Sequence, residues 1–222
     1  MDGVNDDRRT SASRIGVARG SVLVISAPSG AGKTTLCKRL LQEDRAIDFS
    51  VSFTTRPMRP NESEGVDYHF VDRAEFERRR ARGEFVEWAL VGGQLYGTSA
   101  TAVQDAAARG RDILLDIDTQ GALNIRRVIT EAVLVFILPP SRAALKERLE
   151  KRGTDVPEDV ARRLELARGE IEKSSRYDYL IINDEFETAY RQLRGVLEAA
   201  RCRTGWQGAR LEAILQDFSG IS

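Results

Sequence analysis

The feature that most constrains the fold is a junction near the start of the chain. A short apolar run rich in β-branched residues, Ser21 to Ala27 (SVLVISA), passes directly into Ala27-Pro28-Ser29-Gly30-Ala31-Gly32-Lys33-Thr34 and then into a helical pattern over Thr34 to Gln42. Such a run predicts a central parallel strand buried on both faces. The small residues after it let backbone N–H groups curl around phosphate oxygens, and the helix start adds favourable partial charge. Lys33 then reaches the outer phosphates of a nucleotide, and the Thr34 hydroxyl ligates magnesium. Ala27 stands where this arrangement usually has its first glycine, and it keeps the side chain small. The loop predicts a nucleoside triphosphate site from Ala27 to Thr35 but names no reaction.

Similar apolar runs recur at 112–118 (DILLDID), 132–138 (AVLVFIL) and 177–182 (YDYLII). Between and after them lie helical patterns at 119–129, 141–151, 157–173 and 185–203. Strands alternating with helices predict a doubly wound α/β sheet flanked by helices. From 49 to 96 the rhythm breaks into short β-like pieces, FSVSF, YHFV and EFVEWALV, around one helix whose start is marked by Asp72 with Glu75 three residues on. This stretch reads as an inserted lobe, dividing the core into 20–48 and 97–207. Arg152 to Asp159 (RGTDVPED), polar and containing Gly and Pro, reads as a mobile flap within a lid spanning about 148–165. Residues 1–19 read as a disordered leader, and 208–222 as a tail of open role.

Composition removes other classes. Lys and Arg total 34 and Asp and Glu total 34, so no net field draws the chain to nucleic acid or to an anionic membrane. Cys37 and Cys202 show no metal-ligand spacing and fit reduced thiols. No apolar run approaches the ~20 residues that cross a bilayer, and the N-terminus lacks the apolar stretch of a signal peptide. The expected compartment is the cytoplasm, and association into a homo-oligomer is compatible with this reading.

The lobe supplies candidates for a second anion. Arg56 and Arg59 flank Pro57 and offer planar forks suited to phosphate oxygens, and Tyr68 and Tyr96 offer hydroxyls. Single surface arginines are commonly solvated, so the surrounding pattern carries the weight. It resembles the guanylate kinase family, in SAPSGAGKTT at 26–35, SFTTRPMRPNESEGVDYHFV at 52–71, GEFVEWA at 83–89, YGTS at 96–99, LLDIDTQG at 114–121, ERLEKRGTD at 147–155 and INDEFETAY at 182–190. The resemblance runs from about residue 20 to about 195. It implies a P-loop nucleoside monophosphate kinase fold with an inserted GMP-binding lobe and a helical lid. It also implies a GMP (or dGMP) site made by Ser52, Arg56, Arg59, Tyr68, Glu87, Tyr96, Thr98 and Asp118. ATP and Mg2+ would be the cosubstrate and metal, Lys33, Arg56, Arg148, Arg152 and Arg163 the catalytic set, and Asn183 the neighbour of the adenine. Thr98 stands where the family commonly has serine.

The chemistry is consistent with that. Guanine presents two adjacent donors, N1–H and the N2 amino group, beside the O6 acceptor. The carboxylate of Glu87 suits the donor pair, hydroxyls of Ser52 and Thr98 suit O6, and Asp118 can assist at the amino group. On alternation alone Glu87 would instead be an outward residue of FVEWA. A phosphate acceptor with a second pKa of about 6 needs no general base near neutral pH, in keeping with a single histidine, His69, read as structural. Asp116 is the candidate for orienting magnesium through water. Arg148 and Arg152, one helical turn apart, share a face at the entry to the flap. Two alternatives share the loop: a scaffold domain binding a phosphorylated peptide, and a kinase acting on another small phosphate ester such as a sugar phosphate.

Overall fold

The computed structural model describes residues 20–151 and 157–220. The leader at 1–19 and most of the flap, Arg152 included, lie outside the described residues.

Nine strands and eight helices follow one another among the described residues. They are β1 (Val22–Ser26), α1 (Lys33–Glu43), β2 (Ile47–Ser50), β3 (Phe53–Thr54), β4 (His69–Phe70), α2 (Arg73–Ala81), β5 (Phe85–Val91), β6 (Gln94–Ser99), α3 (Ala100–Ala108), β7 (Asp112–Asp116), α4 (Thr119–Val128), β8 (Val133–Leu138), α5 (Arg142–Lys151), α6 (Pro157–Glu172), β9 (Tyr179–Ile182), α7 (Phe186–Arg201) and α8 (Gly208–Phe218). Five strands form one parallel sheet in the order β2-β7-β1-β8-β9. Its central strand β1 is wholly buried because its side chains alternate between two cores. Leu23 and Ile25 pack with Leu36 and Leu40 of α1 and Leu193 and Leu197 of α7. Val22 and Val24 pack with Val103 of α3 and Ile125 of α4. A third cluster, with Leu145, Leu149, Val160 and Leu164, joins α5 to α6 as a helical hairpin beside the sheet.

The lobe is a separate four-stranded sheet, β4-β3-β6-β5, with α2 against it. Asp72 caps α2 through the Glu75 N–H, as the sequence spacing predicts. Its boundaries differ from the sequence reading. FSVSF is not one strand: Phe49 and Ser50 belong to β2, which pairs in register with Asp112–Leu115 of β7, while Phe53 and Thr54 pair with the lobe. The lobe sheet also continues through Thr98 to Ser99, because Glu87 and Trp88 pair with Thr98 and Gly97. Tyr177 lies outside β9 and packs edge-on against Phe136 at 5.0 Å, and a short 3-10 turn precedes it. The tail holds a helix, α8, whose Leu211, Ile214, Leu215 and Phe218 are exposed. No helix among the described residues is long and apolar enough to cross a membrane.

At the edge of the sheet remote from the loop, Asp112 is buried and accepts from the Ser21 N–H at 2.6 Å and from Arg201 Nε at 2.8 Å. Arg201 also pairs with Asp44 at 2.7 Å, so one guanidinium ties α7 to β7 and to the end of α1. Removing it leaves Asp112 with a buried, under-satisfied charge. Arg201→Ala is expected to destabilise the fold by about 2 kcal/mol, read from urea unfolding at neutral pH.

Candidate active site

The site begins where β1 gives way to α1. Gly30 and Gly32 both sit at φ +93°, in the left-handed region that other residues rarely adopt. A Cβ on Gly32 would lie 2.2 Å from Asn183 Nδ2, and that amide donates to the Ala31 carbonyl at 2.7 Å. Asn183, at the end of β9, therefore braces the underside of the loop. Its own carbonyl accepts from Arg148 Nη2 at 2.8 Å. Arg163 reaches the loop from α6, donating to Ser29 Oγ at 3.3 Å. Two of the three lid arginines named from the sequence thus converge on the loop and its brace; Arg152 is outside the described residues.

Lys33 forms an ion pair with Asp116, which stands at the end of β7 in register with Ile25 of β1. Burial alone would lower the Lys33 pKa, but the facing carboxylate outweighs it and keeps the ammonium charged. Thr34 and Thr35 are exposed at the first turn of α1. The Tyr68 hydroxyl is held above its usual pKa, first by burial and then by the charge of Asp116, and Lys33 opposes the shift. The lobe thereby faces the loop.

In the lobe, Arg56 lies over the rings of Tyr68 and Phe70, 5.4 and 5.7 Å from their centroids, and Tyr68 meets Tyr96 edge-on at 5.9 Å. Its guanidinium is bound two-pronged by Glu62 at 3.0 and 2.7 Å. Arg59 is exposed on the same turn, and its N–H donates to Glu62. His69 stacks on Phe53 at 4.6 Å with Nδ1 3.0 Å from Glu64, a structural placement.

A buried polar slot lies between the lobe and α4. Glu87 points inward, 7% exposed, while Trp88 takes the outward position; a register shift between Phe85 and Glu87 accompanies this. Fully buried Thr98 donates to Glu87 Oε1 at 2.6 Å, and Oε2 is buried with no partner. Burial, opposed by the Thr98 hydroxyl and aided by the charge of Asp118, raises the Glu87 pKa to about 7. Asp118 caps α4 with one oxygen, at 2.7 Å from the Gln120 N–H. A Cβ on Gly121 would lie 3.1 Å from Glu87 Oε2, so the glycine leaves room beside that oxygen. Ser52, also buried, completes the residues read from the sequence. Sequence reading missed Glu62, the brace by Asn183 and the contact of Gly121. The last two are tertiary pairings, and the first is made by a bent loop; none has a periodic signal in the chain.

A glycine-turned loop with Lys33 at the centre of a parallel sheet, a β-rich lobe carrying the Arg56–Glu62 pair and a helical hairpin whose Arg148 and Arg163 reach the loop and its brace have the architecture of a P-loop kinase. The guanylate kinase family model matches residues 19–200. The guanylate kinase of Nitrosomonas europaea is 48% identical over 198 residues, covering 89% of this chain and 98% of that protein. That of Myxococcus xanthus is 51% identical over 185 residues, covering 83% and 88%. The crystal structure of guanylate kinase from Anaplasma phagocytophilum superposes with a TM-score of 0.74 at 35% identity, covering 92% of this chain and 98% of that one. The chain belongs to the guanylate kinase family and is thus a nucleoside monophosphate kinase.

Glu87 also sets a pH dependence of stability. Its carboxyl titrates at about 7 when folded and near the ordinary 4.5 when unfolded, so the folded state holds the proton more tightly. The stability this gives is present below about pH 4.5 and is lost as pH rises through 7. Glu87→Gln is expected to gain on the wild type by up to about 3 kcal/mol between pH 5 and pH 8.5, measured by urea unfolding at both pH values.

Proposed function

We propose that this chain transfers the γ-phosphoryl group of ATP to the phosphate of GMP, giving ADP and GDP. The observation that carries this is the buried Glu87 carboxyl, with Oε1 bound by Thr98 and Oε2 unpartnered beside Asp118. A buried carboxylate oxygen without a donor is costly unless a ligand supplies one. Guanine's adjacent N1–H and N2 amino group supply the pair, and the base then meets Asp118 on one side and the Ser52 hydroxyl on the other, while Thr98 keeps its proton on Glu87 Oε1.

The phosphate of GMP lies with Arg56, Arg59, Tyr68 and Tyr96, facing Lys33. An oxygen of that phosphate attacks the γ-phosphorus as the bond to the ADP oxygen breaks. The acceptor is already largely a dianion near neutral pH, so no base takes a proton. Repulsion between two anions is the remaining obstacle. Lys33 exchanges Asp116 for the outer phosphates, and Arg148 and Arg163 face the charge on the transferring oxygens; Arg152, by its match to the family, would add a third cation there. Thr34 and Asp116 offer one hydroxyl and one carboxylate beside Lys33, a small protein donor set of the kind that suits magnesium completed by phosphates and water. When bound there, magnesium neutralises phosphate charge. Cytoplasmic purine nucleotide metabolism is the setting this activity fits.

A scaffold role is disfavoured because Lys33, Asp116 and the arginines at the loop are assembled, which phosphopeptide binding does not require. A sugar phosphate offers no planar donor pair to Glu87.

Lys33→Ala is expected to lower turnover at least about 10²-fold with unchanged circular dichroism, in an assay coupling ADP release to NADH oxidation. Base choice is tested through Glu87. Wild type is expected to favour GMP over AMP by about 10⁴-fold in kcat/KM, since adenine sets an acceptor against the carboxylate. Glu87→Ala should cost about 10²-fold or more on GMP, about 2.7 kcal/mol, and far less on AMP. Equal losses on both nucleotides would reduce Glu87 to a support of the lobe.

A further inference from the structure

Arg56 has five N–H donors in one plane. Nη1 donates to the Pro57 carbonyl at 2.7 Å and to Glu62 Oε2 at 3.0 Å, and Nη2 donates to Glu62 Oε1 at 2.7 Å. Both hydrogens of Nη1 and one of Nη2 are committed. The two not taken by Glu62 or Pro57, on Nε and Nη2, lie along the other edge and form a second fork that matches two oxygens of a phosphate. The Tyr96 hydroxyl pairs with this guanidinium, so a phosphate oxygen would share or replace that contact, and Tyr68 lies under it. Glu62 is itself fixed, because Oε2 also accepts from the Arg59 N–H at 2.9 Å. The Arg56 and Glu62 side chains are only 14% and 16% exposed, so this pair is held rather than solvated.

We propose that Glu62 is a positioning residue for the acceptor phosphate: it grips one edge of the Arg56 guanidinium and turns the Nε–Nη2 edge toward Tyr68 and Tyr96 to bind that phosphate side-on. The inference rests on the reading of the lobe as the GMP site. Its sign separates it from simple electrostatics. Glu62 is an anion next to a phosphate site, so by charge alone its removal should tighten GMP binding. By positioning, its removal should weaken GMP binding, because an arginine free to rotate no longer presents a two-pronged edge.

The test is calorimetric affinity for GMP and for guanosine, which keeps the base and lacks the phosphate, using wild type, Glu62→Gln, Arg56→Lys and the double variant. Glu62→Gln is expected to weaken GMP by about tenfold while guanosine changes less than about twofold. In the Arg56→Lys background, where no planar fork exists, Glu62→Gln should add less than about twofold. GMP affinity unchanged or tightened in Glu62→Gln overturns the proposal. So does an equal loss on GMP and guanosine, which would make Glu62 a brace of the lobe as a whole. If wild type prefers GMP over guanosine and Glu62→Gln keeps that preference undiminished, only the positioning role falls. If wild type shows no such preference, the lobe is not the phosphate site and the reading beneath the proposal falls with it.

Discussion

Gly30 and Gly32 turn the chain out of the buried strand β1 and into α1 in a conformation other residues rarely hold, and Asn183 pins that turn by donating to Ala31. Without a side chain at Gly32 the amide of Asn183 can approach, and it supplies a donor to the carbonyl of buried Ala31. This one contact joins the start of the sheet to its last strand across 152 residues of chain. Lys33 follows immediately, so its place opposite Asp116 depends on the same turn. Arg148 is tied to it as well, through the carbonyl of Asn183.

The lobe is organised by a different force. Its sheet is small, and its interior is aromatic: Phe76 and Phe85 meet at 4.6 Å, Phe53 and Phe85 at 5.5 Å. These rings join β5 to β3 and α2 beside the shift between Phe85 and Glu87 that turns Glu87 inward. The polar work of the lobe is thus carried on an apolar base, with Thr98 and Glu87 paired across two strands and Gly121 of α4 making room opposite.

Much of this was legible in the chain. The continuous apolar run of β1, the glycines after it and the Asp72 to Glu75 spacing are local signals, and they correspond to local structure. The inserted lobe was visible as a break in the alternation of strands and helices. Its edges were not, because FSVSF is apolar enough for one strand and only pairing with β7 divides it. Alternation alone would have pointed Glu87 outward, and a register shift is decided by neighbours in space rather than by the pattern of FVEWA. Asn183 was placed by resemblance near the adenine of ATP; its hydrogen bond to the Ala31 carbonyl is a tertiary pairing that the sequence did not announce. The pairing of Arg56 with Glu62 lies only six residues apart, yet a bent loop makes it, and no periodic pattern announces a bent loop.

The cations on both sides of the cleft share a property. Lys33 already faces Asp116, and Arg56 already faces Glu62. A phosphate arriving at Lys33 exchanges one anion for another, and the displaced partner belongs to the protein, not to the surrounding electrolyte. Few dissolved counterions are released at that step, so the dependence of nucleotide affinity on salt should be shallower than the number of basic groups in the cleft would suggest. The internal carboxylates act as built-in ions, and they make recognition less sensitive to the ionic medium in which the protein works.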